Sequence, residues 1–253
     1  EDLIDFTPEL KAEALKIASK LKLGPIFNPI IVEGASGKIG TFVVPGAGGG
    51  ASFQGASIDP DSGMLYVESH TGPVGMSLVK TADTKTMSQN EPGTSEFRYE
   101  IKYQSTRGPQ GLPLIKPPYR RLTAIDLKTG EHAFQVPVGD GPINHPAIKH
   151  LNLPPMGSRY PAGSVVEGGI LVTKTILVGF LATLDELGDR VAHGGHLRAL
   201  DKNTGEVLGQ IAVDRSLHGA PITYMHKGRQ YIAVAGGGGT EEAELVVFAL
   251  PQG

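Results

Sequence analysis

Histidine is the residue type in this sequence that most readily supports metal binding or proton transfer, and eight are present. The closest pairs are His193 with His196 and His145 with His150. Both pairs fall in Gly- or Pro-rich segments and have no carboxylate at a ligand-like offset. Loop histidines are more often solvated or hydrogen-bonded than metal-bound, so metal binding is the less favoured interpretation.

Three short patterns imitate catalytic or nucleotide-binding motifs but lack the context that those motifs need. Ser77-Leu78-Val79-Lys80 has the spacing of a serine–lysine acylase, yet the supporting segments are missing. The run from Gly46 to Ala51 fits the dinucleotide glycine pattern, but no helix pattern follows it. The run from Gly34 to Lys38 lacks the P-loop spacing. The sequence therefore predicts neither an acylase nor a nucleotide site.

Composition narrows the class of protein. The chain has 253 residues, with 23 basic and 26 acidic side chains and a net charge of −3, which argues against nucleic acid as a partner. The 35 glycines and 19 prolines are typical of a turn-rich β protein, and without cysteine no disulfide or thiol chemistry is available. No apolar run reaches membrane-spanning length. The chain starts Glu1-Asp2, with neither an initiator Met nor a signal peptide, so we expect it to be a piece of a longer protein.

One hairpin pattern occurs twice. Leu122 to Glu131 and Leu197 to Glu206 each contain an apolar strand, then Asp, and a Gly four residues after the Asp. The carboxylates of Asp126 and Asp201 can accept hydrogen bonds from turn amides, and the glycine supplies the positive φ that reverses the chain. A hairpin repeated at long period favours a radial β array in which each unit packs on its neighbours.

The remaining elements agree with an all-β protein that has one N-terminal helix. Thr7-Pro8 starts an amphipathic helix over residues 8–23 that lies outside the sheets. We predict blades within residues 41–138, 163–213 and 218–250, with long loops at 70–118 and 139–162. The strands group as four, four and three, and a propeller blade has four. A portion of about three blades cannot close a ring, so we expect further blades to pack against it.

Four segments, in order, resemble the quinoprotein dehydrogenases, the pyrroloquinoline quinone (PQQ) enzymes of the glucose dehydrogenase type. The first, from Gly49 to Pro60, is similar to the family's Asn-Trp-Gly-Gly-x-Ser-x-Asp-Pro segment. The others run from Gly111 to Gly130, from Gly168 to Thr173, and from Ala220 to Val234. The resemblance covers essentially the whole chain. It implies the C-terminal portion of an eight-bladed propeller within residues 1–253, forming a single propeller domain.

The resemblance also implies which residues face the cofactor. Ser52 and Phe53 stand where the family has Asn-Trp, and together with Gly168 and Gly169 they would form part of the PQQ wall. The family's catalytic aspartate and calcium ligands lie further towards the N-terminus, so no catalytic residue and no metal ligand is assigned to this chain.

Departures from the family pattern affect the packing of the blades. The family usually places a Trp four residues after the turn glycine, docking one blade on the next. Here those positions hold Phe134 and Gly209, and the chain contains no Trp. Phe can fill a slot between blades, whereas Gly cannot.

The implied function is that of a part of a PQQ-dependent dehydrogenase. Such an enzyme oxidises a sugar or alcohol and passes electrons to a quinone or cytochrome, with calcium held by a part outside this chain. We expect a periplasmic location, with any membrane attachment also outside the chain. The expected partners are the remaining blades, from the same polypeptide or a separate chain, or, less favoured, further copies of this one. The alternative is a non-catalytic periplasmic propeller that acts as a scaffold or interaction module, because fold alone does not fix function.

Overall fold

A computed structural model describes residues 1–51, 55–80, 99–104, 106–159, 169–185, 190–238 and 241–249. The chain divides into two compact units, each made of two segments. Unit 1 comprises Glu1–Ala47 and Pro73–Lys116, and unit 2 comprises Gly48–Gly72 and Pro117–Gly253. In chain order the helix and strands are α1 (Pro8–Ala18), β1 (Leu21–Lys22), β2 (Ile31–Val32), β3 (Gly40–Val43), β4 (Ala56–Asp59), β5 (Met64–His70), β6 (Val74–Lys80), β7 (Tyr99–Gln104), β8 (Arg120–Asp126), β9 (His132–Pro137), β10 (Leu171–Val172), β11 (Ile176–Leu184), β12 (Arg190–Asp201), β13 (Val207–Val213), β14 (Leu217–His226), β15 (Arg229–Gly238) and β16 (Glu241–Ala249).

The helix α1 begins where the sequence predicts it. The Thr7 side chain accepts a hydrogen bond from the Leu10 amide at 3.2 Å, which satisfies one of the free N–H groups of the first turn. Leu10 and the residues four and eight positions later are buried, so one face of the helix is apolar. The predicted extent of 8–23 is too long. The helix ends at Ala18 because Leu21–Lys22 form β1, which pairs in parallel with β3.

The sheet of unit 1 corrects two further expectations. Its strand order is β1-β3-β6-β2, and β7 pairs with the other edge of β6, opposite β3 and β2. Strands β6 and β7 therefore lie inside residues 70–118, which the sequence pattern indicated to be a long loop. The first four residues of β6 are all buried, so the polar/apolar alternation that reveals a strand is missing there. Strand β3 also belongs to this sheet, although the sequence analysis placed it in the first blade.

Unit 2 contains three antiparallel sheets that follow one another along the chain. Sheet 1 has the order β4-β5-β8-β9, sheet 2 has β10-β11-β12-β13, and sheet 3 has β14-β15-β16. Every neighbour in each sheet is the next strand of that sheet, which is the meander of a propeller blade. The four, four and three grouping is thus confirmed for these described strands.

The two repeated turns are equivalent, as the sequence predicts. In sheet 1 the Lys128 amide donates to Asp126 Oδ1 at 2.8 Å, and the Gly130 amide donates to the Asp126 carbonyl at 2.7 Å. In sheet 2 the corresponding bonds reach Asp201 Oδ1 at 2.7 Å and the Asp201 carbonyl at 2.8 Å. Both turn glycines have a φ near +75°, at 78° and 75°. Each turn joins the third and fourth strand of its sheet.

Neighbouring sheets pack face to face through two apolar cores. The core between sheets 1 and 2 is built from buried residues of both sheets: Tyr66, Leu122, Ala124, Ile170, Leu177 and Leu200. The core between sheets 2 and 3 is built in the same way: Val178, Phe180, Ala182, Leu197, Leu217 and Val234. Adjacent residues Leu177 and Val178 point to opposite faces of sheet 2 because side chains alternate along a strand. Sheet 2 is therefore covered on both faces.

The segment predicted as the loop 139–162 is described as far as residue 159. Its ends pair with each other: the Gly157 amide donates to the Gly139 carbonyl at 2.9 Å, and the Ser158 amide donates to the Val138 carbonyl at 2.8 Å. A Cβ on Gly157 would lie 2.1 Å from the Arg120 carbonyl oxygen, so only glycine allows this close approach. The segment is therefore tied to the first residue of β8.

Candidate functional site

The first strands of the three sheets lie side by side and form the candidate site. The Ser57 hydroxyl of β4 donates a hydrogen bond to the Ile170 carbonyl, next to β10. The Gly169 amide donates to the Gly219 carbonyl of β14 at 2.9 Å. Ser57 and Ile170, 113 positions apart in the sequence, thus meet, and Gly169 links the same line of inner strands to Gly219. This arrangement lets distant segments share one ligand, as expected at the axis of a propeller.

Of the four residues predicted to face the cofactor, only Gly169 belongs to the described part of the chain. It is buried, and its amide is already bonded to Gly219. Ser52, Phe53 and Gly168 lie outside the described residues, so their role stays a prediction. The described residues around them are anchored: the Gly50 carbonyl accepts from the His70 amide at 2.9 Å.

The Asp-Pro end of the family-like segment stabilises the structure. Asp59 is buried; its Oδ2 accepts from the Ser62 hydroxyl at 2.7 Å and lies 2.6 Å from Lys202 Nζ in sheet 2. The hydrogen bonds from Lys202 and Ser62 lower the pKa of Asp59 from 3.8 to about 2. Asp59 therefore stays ionised at neutral pH, and its ion pair with Lys202 links sheet 1 to sheet 2.

A buried ion pair at the other end of the same interface was not predicted from the sequence. Arg120 and Glu68 form it with side chains 1% and 5% exposed, and Arg120 Nη2 also donates to the Phe180 carbonyl of sheet 2 at 3.0 Å. Burial raises the pKa of Glu68, and the charge of Arg120 opposes that rise. Glu68 and Arg120 are 52 positions apart in the sequence. They meet because β5 and β8 pair in the register that sets His70 opposite Arg120. It fixes the ends of β5 and β8 against sheet 2.

Of the two histidine pairs, only His145 with His150 is described in full, because the side chain of His193 lies outside the described part of the structure. His145 is buried in a turn, where its Nδ1 accepts from the Ala147 amide at 3.2 Å. Within the described ranges, no group of three or more His, Asp or Glu side chains is arranged to hold a metal ion.

In the same part of the chain, no helix is both long enough and apolar enough to cross a membrane.

Comparison with known proteins gives a family match over most of the chain. The family described as "PQQ: Glucose/ethanol/alcohol dehydrogenase, beta-propeller domain" matches residues 1–232. The quinate/shikimate dehydrogenase (quinone) of Acinetobacter baylyi is 28% identical over 227 residues, which cover 81% of this chain and 26% of that protein. The glycerol dehydrogenase large subunit of Gluconobacter thailandicus is 30% identical over 233 residues, covering 82% and 29%.

Another curated relative and one solved structure are also similar to this chain. The quinoprotein glucose dehydrogenase of Escherichia coli is 27% identical over 228 residues, covering 84% of this chain and 27% of that protein. Among solved structures, the quinohemoprotein alcohol dehydrogenase of Comamonas testosteroni aligns with a TM-score of 0.47 and 24% identity, covering 78% of this chain and 23% of that one. The chain thus spans about a quarter of the length of the curated relatives it matches.

Proposed function

The chain belongs to the glucose/ethanol/alcohol dehydrogenase β-propeller family of PQQ enzymes, and from this membership we propose its role in the whole protein. It is part of a dehydrogenase that oxidises a sugar or alcohol and transfers the electrons to a quinone or cytochrome. The family match over residues 1–232 is the observation that carries this proposal.

The described residues of the inner strands fit contact with a flat cofactor. Gly169 and Gly219 present backbone without side chains, and a Cβ built on Gly219 would meet no described atom within 4 Å. Bare backbone beside open space allows a planar ring system to approach closely. Ser52, Phe53, Gly168 and Gly169 would hold PQQ from this side, with Phe53 supplying apolar contact and Ser52 a hydrogen bond.

When bound, PQQ supplies the redox chemistry by accepting a hydride from the substrate. This chain orients the cofactor and keeps water from one side of it. The catalytic base and the calcium ligands are proposed to come from a part outside this chain, because neither is assigned to a residue here.

The remaining blades are the proposed partner. Sheet 3 packs on sheet 2 through one face only, and its other face exposes Ile222, Tyr224, Leu245 and Val247 by 42% to 66%. Apolar residues grouped in this way on a sheet face mark an interface. A further blade, from the same polypeptide or a separate chain, would cover them. A periplasmic location is proposed because the similar proteins are bacterial quinoproteins.

Binding of PQQ to the protein assembled with its remaining blades tests the proposed wall. Replacing Phe53 by Ala removes a ring contact, and we expect PQQ affinity to fall about tenfold, measured by quinone absorbance in a titration. Phe134→Ala is the matched control, because it removes the same ring from the outer strand β9 and should change stability but not affinity. An unchanged affinity in the Phe53 variant would overturn the assignment. Absence of any PQQ binding would favour the alternative of a non-catalytic scaffold. That alternative is considered because Ser52 and Phe53 stand where the family has Asn-Trp.

A further inference from the structure

The interface between sheets 1 and 2 contains an aromatic ring in a defined slot. Phe134, four residues after the turn glycine of sheet 1, lies over Gly205 at the corresponding turn of sheet 2. A Cβ on Gly205 would lie 2.7 Å from the Phe134 ring, so the ring covers the bare backbone. The centroid of the ring is 6.4 Å from that of Tyr66 in the core. An aromatic side chain at this position thus closes the gap between two sheets.

The equivalent position in the next interface has no side chain. Gly209 follows the turn glycine of sheet 2 by the same four residues, and a Cβ on it would meet no atom of the described residues within 4 Å. The space beside it is a cleft of about 550 Å³. Its walls are apolar residues of both sheets, including Val178, Leu197, Ile232 and Phe248.

The cleft is continuous with the packed core between sheets 2 and 3. Val178 and Leu197 are buried members of that core, and Ile232 and Phe248 pack against it. Five polar side chains also line the cleft: Thr173, Thr175, Arg198, Gln210 and Gln230. Arg198 Nε donates to Gln210 Oε1 at 3.1 Å, so the charged group already has a polar partner. A volume of this size with mainly apolar walls is in the range of small-molecule sites.

We propose that the cleft at Gly209 is a binding site for a small neutral aromatic molecule of one or two rings. The occupant is specified by the first interface, where an aromatic ring fills the corresponding slot. A flat apolar ring would contact the bare backbone of Gly209 on one side and Ile232 and Phe248 on the other. The site lies apart from the inner-strand residues proposed to hold PQQ, and it does not depend on the proposed function.

The test uses the 253-residue chain and the probe 5-fluoroindole, followed by ¹⁹F NMR. A small ligand with this number of atoms is expected to bind with a Kd on the order of 0.1–1 mM. In Gly209→Trp the new indole occupies the slot, so we expect affinity to fall at least tenfold. Gly209→Ala adds one methyl group to open space and should keep affinity within about twofold. Cyclohexanol, a non-planar probe, should bind more weakly than 5-fluoroindole, which is measured by its ability to displace 5-fluoroindole in the same ¹⁹F NMR experiment.

The tryptophan variant carries its own check on folding and position. The chain has no native Trp, so the fluorescence of the Gly209→Trp variant comes from that residue alone. Blue-shifted emission that is shielded from iodide shows that the indole lies in the cleft. Binding of 5-fluoroindole that survives in a variant with shielded Trp would overturn the proposal, as would no binding to the original chain at 5 mM. If the Trp is solvent-exposed, Gly209→Phe is tested in its place, and unchanged binding there also overturns it.

Discussion

Replacing Arg120 by Met should destabilise the protein strongly, because it leaves the Glu68 carboxylate without its partner. Both side chains are almost fully buried, at 1% and 5% exposure. Removing one member of a buried pair costs about 3–5 kcal/mol of unfolding free energy, since the remaining charge has lost its solvent and its counter-ion. Arg120→Met also removes the hydrogen bond to the Phe180 carbonyl. Urea unfolding followed by circular dichroism measures the change from the midpoint and the slope.

The cost should depend on pH with a defined sign. Burial already raises the pKa of Glu68, and loss of Arg120 removes the main effect that lowers it. In the variant, the folded state then binds a proton at Glu68 more tightly than the unfolded state does. A group with a raised folded pKa stabilises the folded state at low pH and loses that contribution as pH rises. The destabilisation of Arg120→Met should therefore be smaller at pH 5 than at pH 8.

A double-mutant cycle separates the ion pair from simple packing. Glu68→Met combined with Arg120→Met replaces the pair by apolar side chains, which is often nearly neutral for stability. We expect the double variant to recover at least 2 kcal/mol relative to Arg120→Met alone. If Arg120→Met costs less than about 1 kcal/mol, or if the double variant is no more stable than the single one, the reasoning about this pair is wrong.

Three further predictions concern structure around the site. Asp59, with its lowered pKa, stabilises the folded state at neutral pH, and this contribution is lost as pH falls from about 4 towards 2. In Lys202→Gln the contribution should be smaller, and urea unfolding measured across that pH range tests this. Asp126→Ala and Asp201→Ala should each cost about 1 kcal/mol, because both remove a matching turn hydrogen bond, and Asp201→Ala should cost slightly more because Asp201 Oδ1 also accepts from the Thr204 amide. Gly157→Ala should cost more than about 3 kcal/mol in urea unfolding, since its methyl group would overlap the Arg120 backbone.

Each of these three predictions has a result that would contradict it, and the glycine variant also has a control. Gly219→Ala also forces a side chain into a positive φ, at 77°, but into open space, so it should cost only about 1 kcal/mol. Equal costs for the two glycine variants would refute the close approach at Gly157. An acid profile of Lys202→Gln identical to that of the original chain would show that Lys202 does not set the pKa of Asp59. Very unequal costs for the two aspartate variants would contradict the equivalence of the turns.

Local chemistry was enough to predict the parts of this fold that form within a few residues. The turns at Asp126 and Asp201 follow from a carboxylate, two amides and a glycine, all within five positions of sequence. The cap at Thr7 is similarly local. These features depend on neighbours in the chain, so the pattern contains the information.

Features that depend on distant pairing were missed or misassigned. The helix ends at Ala18 because β1 finds its partner in β3, about twenty residues later. The first four residues of β6 are buried on both faces of the sheet, which removes the alternation that a sequence pattern needs. The Glu68–Arg120 pair has no local signature, because its two members meet only through the register of β5 and β8.

The proposed role of the chain as one wall of a PQQ dehydrogenase is tested most directly by dye reduction. The assay compares the isolated chain with the same chain assembled with its remaining blades, both supplied with PQQ and calcium, using glucose and a primary alcohol as substrates. We predict substrate-dependent turnover for the assembled protein and none for the isolated chain, because the base and the metal ligands are proposed to lie outside residues 1–253. Turnover by the isolated chain, or an assembled protein that binds no PQQ and reduces no dye, would contradict the account.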